Sequence, residues 1–106
     1  MTSELYFVKS SDEEYLKDKK VFATFTKYKI KTNKDEFRQN SLMIGLLNQI
    51  YTFGDLINHI ITFASNADDE IITESERKKS IYLVRILSKI LYKCHFNDYI
   101  FIGYGK

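Results

Sequence analysis

Cys94 and His95 form the one thiol–imidazole neighbour pair in the chain. A cysteine nucleophile needs a base brought close in space and a lowered pKa. Neighbours on a helix point about 100° apart, so adjacency supplies no such geometry, and Cys94 falls on an apolar helix face. His59 and His95, with Cys94, would be metal ligands only if the fold united them, and their spacing matches no zinc signature. Asp12-Glu13-Glu14 and Asp68-Asp69-Glu70 lack the Gly-centred alternation of a calcium loop. They read as helix-start and loop charges. Ser75 and Lys78 match S-x-x-K by letters alone, without its supporting motifs. Gly-rich phosphate loops, paired C-x-x-C and H-E-x-x-H are missing. The expectation is a non-enzymatic protein with no catalytic residue, no metal site and no cofactor.

The richest pattern is a basic stripe near the C-terminus. Lys78, Tyr82, Arg85, Lys89, Tyr92 and Lys93 share one arc of a predicted helix. Leu83, Leu87, Ile90, Leu91 and Cys94 lie opposite, toward the core, and no acid of that helix interrupts the basic arc. Bases interleaved with tyrosines fit an acidic protein surface. They also fit a phosphate backbone with stacked bases. The competing reading is a solvated face: Glu74 and Glu76 at the helix start and bases at its end follow the macrodipole. Lys27, Lys29 and Lys31 form a second basic set. Either they add to the same surface or they guard a sheet edge against unwanted pairing. Ser41, Gly45 and Asn48 make a small-residue stripe on another predicted helix. It serves close internal packing, which would explain a helical glycine, or self-association.

These residues need elements to hold them. With 106 residues, the chain fits a single domain, 1–106. At 44% hydrophobic and 28% charged it has globular composition. Net charge is +2, so any nucleic-acid role must rest on local clustering. One cysteine excludes an internal disulfide and suits a reducing compartment. Met1-Thr2-Ser3-Glu4 lacks the basic start of a secretory leader. No apolar run approaches the ~18 residues of a membrane span. Cytoplasm is the expected address, without membrane partners.

Leu5–Val8 is wholly apolar and predicts a strand buried on both faces. Ser11 with Glu14 forms a capping pair before a short helix around Tyr15 and Leu16. Val21–Thr32 reads as a long edge strand whose apolar set changes face near Thr26, through a bulge or twist. Asn33 with Glu36 opens a predicted helix from Lys34 to Tyr51, apolar over more than half its girth. Thr52 with Asp55 starts the next helix, with Phe53, Leu56, Ile57, Ile60, Ile61 and Ala64 on one side. Thr73 with Glu76 starts the last, which runs to about Cys94. Asn97-Asp98 is a turn and Tyr99–Ile102 a final apolar strand. The fold expected is α+β: a small, mainly antiparallel sheet of about three strands, the N-terminal strands plus the C-terminal one. Three helices pack on one face, and the lysine strand lies at an edge.

Function follows as an expectation from composition and surface. A small domain rich in tyrosine and lysine fits a binding protein that occupies a macromolecular partner. Immunity proteins, antitoxins and phage-type inhibitors are of that class. The partner would be another protein with an acidic surface. A nucleic-acid-binding module on the same helix face is the alternative.

Overall fold

A computed structural model describes residues 3–105, so Met1 and Thr2 of the leader reading and Lys106 of the domain reading lie outside the described residues. The two apolar runs at the ends of the chain become the two central strands. β1 (Glu4–Ser10) and β4 (Tyr99–Gly105) pair antiparallel along their full length, with Leu5 opposite Tyr104 and Phe7 opposite Ile102. β2 (Tyr28–Ile30) flanks β1, and β3 (Gln49–Thr52) flanks β4. Among the described residues the sheet is four-stranded, antiparallel throughout, in the order β2-β1-β4-β3. Central position suits the apolar runs Leu5–Val8 and Tyr99–Ile102: Leu5, Phe7, Ile100 and Ile102 are buried on one face, while Tyr6 and Phe101 on the other are partly exposed.

One face carries the main core. Leu5, Phe7, Ile100 and Ile102 meet Phe37, Met43, Leu56, Leu83, Ile86, Leu87 and Ile90 from the helices. Those helices are α3 (Lys34–Gln39), α4 (Ser41–Gly45), α5 (Phe53–Ala67) and α6 (Glu74–Tyr92). The opposite face is covered by α1 (Glu13–Lys17) and α2 (Lys19–Phe22). Phe22 meets Phe101 edge-on at 5.1 Å, and Tyr6 lies 6.4 Å from the same ring. Val8 and Leu16 are buried there, outside the main core. The tight spot is Gly103: a Cβ would sit 2.6 Å from the Tyr6 ring. The α+β class, the pairing of the two terminal strands and the lysine strand at an edge match expectation. Among the described residues, four strands and six helices, the helices distributed over both faces, replace about three strands with three helices on one face.

Three local expectations are corrected. The long strand Val21–Thr32 is mostly something else. Asp18 accepts hydrogen bonds from the Lys20 and Val21 amides and caps α2, which takes in Val21 and Phe22. Thr24 then closes a turn onto the Val21 carbonyl, leaving three residues for β2. The change of apolar face near Thr26 marks that helix-to-strand boundary, with no bulge involved. A local cap outweighed β-propensity. In α1 the capping side chain is Asp12, which accepts from the Glu14 amide at 3.0 Å, in place of Ser11.

The long helix Lys34–Tyr51 is also broken. Asn40 ends α3 with extended backbone and caps α4, accepting from the Met43 amide at 3.1 Å. Its amide nitrogen donates to the Lys79 carbonyl at 3.1 Å, so this buried asparagine ties the break to α6. Asn48 has a φ of 62°, in the left-handed region that asparagine tolerates, and it turns the chain into β3. The broad apolar arc that argued for one central helix is the sum of two short helices and a strand. α5 begins straight after β3 on the expected Thr52–Asp55 capping box. No helix among the described residues is long and apolar enough to cross a membrane.

Candidate partner-binding surface

α6 is the longest element and sets the site. Thr73 caps it, accepting from the Glu76 amide at 3.2 Å, with Glu74 and Glu76 in the first turn. Arg77 donates to the carbonyls of Ala67 and Asp69 and so pins the acidic loop to the helix start. Ser80, Tyr82, Leu83, Ile86, Leu87 and Ile90 face inward. The outward ridge holds Lys78, Ile81, Arg85, Lys89 and Tyr92, with Lys93 at the C-cap.

Tyr82 belongs to the floor of this ridge. It is only 4% exposed, and its hydroxyl lies 2.5 Å from Thr32 Oγ1. Burial raises its pKa, and the Thr32 hydrogen bond partly opposes that. The Arg85 guanidinium sits 5.6 Å from its ring centre. In its place Ile81, one residue back, stands outward at 49% exposure, and Tyr92 is 90% exposed. The ridge therefore presents apolar surface between its bases.

An acid interrupts the basic face after all, from another element. Glu36 of α3 approaches Arg85 at 3.4 Å, with both side chains more than half exposed. Such a pair contributes little to stability. Its position matters more, because Glu36 and Arg85 line two adjoining clefts. One, about 260 Å³, runs between α3 and α6 past Asn40, Ser75, Lys78 and Ile81. The other holds Lys31, Thr32, Asn33 and Lys89.

The second lysine set is divided. Lys31 borders the cleft with Arg85 and Lys89 and extends the ridge. Lys29 pairs in register with Tyr6, which places it toward the opposite sheet face, and its ammonium lies 3.3 Å from Glu4. The Lys27 ammonium lies 4.8 Å from the centre of the Tyr6 ring. Lys27 and Lys29 therefore stand apart from α6.

Ser41 and Gly45 lie on α4 and Asn48 in the following turn, all exposed. A Cβ on Gly45 would meet nothing within 4 Å, so close internal packing does not explain this glycine. Cys94 is half-buried, and burial pushes its thiol up to about 11; Lys9 pulls the other way and Asp98 adds to the rise. His59 stands edge-on to Tyr51 and stacks on Phe63. Among the described residues no group of three or more His, Cys, Asp or Glu is placed to hold a metal ion. Asp12 and Asp69 spend their carboxylates on nearby backbone amides.

Glu36 and Ile81 were missed from the sequence. In the sequence Glu36 reads as the capping partner of Asn33, and only the fold brings it across to α6. Ile81 carried a usable signal: an isoleucine inside an otherwise polar arc of the helix. No family model matches the chain, and neither a curated protein nor a solved structure matches it.

Proposed function

We propose that the chain is a small binding protein that works by occupying a macromolecular partner, as immunity proteins, antitoxins and phage-type inhibitors do. The contact surface is the α6 ridge with Lys31 at its flank. The partner is another protein with an acidic rim around an apolar centre. The observation that carries this reading is the exposure of Ile81, between Lys78 and Arg85, and of Tyr92, between Lys89 and Lys93. Protein interfaces combine aromatic and arginine anchors with a polar rim. A phosphate track gains little from an exposed isoleucine, and Glu36 at 3.4 Å from Arg85 would repel phosphate.

Nucleic acid is the second reading, and Lys31 beside Arg85 and Lys89 favours it. Fluorescence anisotropy with mixed-sequence DNA and RNA, from low to physiological salt, separates the two. A log–log salt slope of several units, lost in the Arg85→Glu/Lys89→Glu variant, would establish nucleic-acid binding. The expected result is weak or absent binding. Affinity capture from the native cell should then retain an acidic protein on the wild type and release it from the same variant. Equal retention by a variant with unchanged circular dichroism would remove the ridge from the interface.

A further inference from the structure

The two edges of the sheet are built differently. β2 is three residues long, with Lys29 in it and Lys27 and Lys31 just before and just after it. Short length and lysines are the usual protection of a strand edge. β3, Gln-Ile-Tyr-Thr, has no charge and no proline, and β4 is its only strand neighbour among the described residues. The bias extends beyond the strand. From Gln39 to Ala67, 29 residues carry one formal charge, Asp55. The chain's own 28% charged content would place about eight there. Even Asp55 turns its carboxylate to the Thr52 amide, at 2.9 Å.

α5 continues the uncharged strip. Its inner side packs on α6 and β3. Its outer side leaves Ile57 and Ile61 exposed, one turn apart, beside exposed Asn58, Thr62 and Ser65. Apart from Asp55 in the first turn, the exposed residues of α5 are apolar, amide, hydroxyl or glycine. Depletion of charge at the centre of a patch is the compositional mark of an interface.

We infer that this strip, the free edge of β3 with the outer side of α5, is where a second copy of the chain docks. Apart from the Thr52 N–H, which Asp55 takes, the outer edge of β3 offers backbone groups to no strand among the described residues, and an open edge of that kind is completed by another extended strand. A two-fold axis sets each side chain near its own equivalent. Any charge on such a strip would face its own sign, and the α6 ridge could not lie on that axis. The uncharged strip can. Antiparallel pairing of β3 with its symmetry mate would join two four-stranded sheets into one, with Ile57 and Ile61 of each α5 closing over the seam. Four strand residues and one helix of ~22 Å make a small interface, so association in the micromolar range is expected.

The test is sedimentation velocity of the full chain from about 5 to about 500 μM, with three proteins. The wild type should pass from monomer to dimer with concentration, unchanged by added salt. Ile61→Lys replaces a side chain that is already 58% exposed, and two such ammoniums would meet across the axis. It should raise the dimer Kd at least tenfold. Ile71→Lys, at a position 92% exposed outside the strip, should leave the Kd unchanged. Amide exchange at residues 49–52 should slow in the wild type as the dimer fills. A monomer at the highest concentration overturns the inference, as does an equal effect of the two substitutions. Either result leaves the α6 ridge untouched, because its partner test depends on Arg85 and Lys89.

Discussion

Tyr51 gives the structure a measurable pH signature. Its ring is 6% exposed and its hydroxyl donates to the Leu46 carbonyl at 2.5 Å. Burial, with Asp55 nearby, pushes its pKa from 10.0 to about 12. The folded state thus favours the neutral phenol. Below pH 10 both folded and unfolded chains hold the proton, and stability does not depend on it. Between pH 10 and 12 the unfolded chain loses the proton first, so stability falls as pH rises. A shift of two units sets the total loss at about 2.7 kcal/mol. The perturbation is Tyr51→Phe. At pH 7 it removes one hydrogen bond and should cost about 1 kcal/mol. It also removes the alkaline loss, which reaches about 1 kcal/mol near pH 10.7 by the same linkage. Urea unfolding followed by circular dichroism, at steps from pH 7 to 12, should show wild type more stable below ~10.7 and the variant more stable above. Alkaline destabilisation from the other tyrosines and from Cys94 is common to both proteins and drops out of the difference. A difference between the two curves that stays constant with pH would refute the burial argument for Tyr51.

Two glycines should respond in opposite directions. Gly45→Ala meets open space in a helix and should stabilise by roughly 0.5–1 kcal/mol. Gly103→Ala drives a methyl into the Tyr6 ring and should cost about 1–3 kcal/mol. Thermal or urea unfolding reads both, and a sign reversal at either would contradict the packing around it. Cys94 should be a slow thiol: with its pKa near 11 against 9.0, it holds roughly 100-fold less thiolate at neutral pH. Iodoacetamide labelling of the native chain should accelerate sharply on adding denaturant, and labelling equally fast in the native state would show an accessible thiolate.

Bases gather on the β2 side of the fold, where Lys31 meets α6, and uncharged surface gathers at the β3 edge. The two proposed contacts are therefore separate. A dimer joined through β3 would leave both α6 ridges open and offer two partner sites, with the gain in effective concentration that linkage brings.

What could be read from the sequence was whatever is specified locally. Apolar runs at both ends marked the two central strands, because such residues favour burial; one face is buried as expected, and the face of Tyr6 and Phe101 stays partly exposed. Thr52–Asp55 and Thr73–Glu76 located the starts of α5 and α6 to the residue, because capping is set by side chains three positions apart. Where two local signals competed, spacing alone could not choose. Asp18 and Asn40 each broke a run that periodicity had joined, and a four-residue strand hid at the end of a helical pattern because β4 had an open side to fill. The site divided in the same way. The basic ridge follows from helical spacing within α6, which the sequence carries. The inward turn of Tyr82, the arrival of Glu36 and the parting of Lys31 from Lys27 and Lys29 depend on elements far apart in the chain. Only packing decides which of those elements meet, since the free energy that places them is the burial of a shared core and no short stretch of sequence contains it.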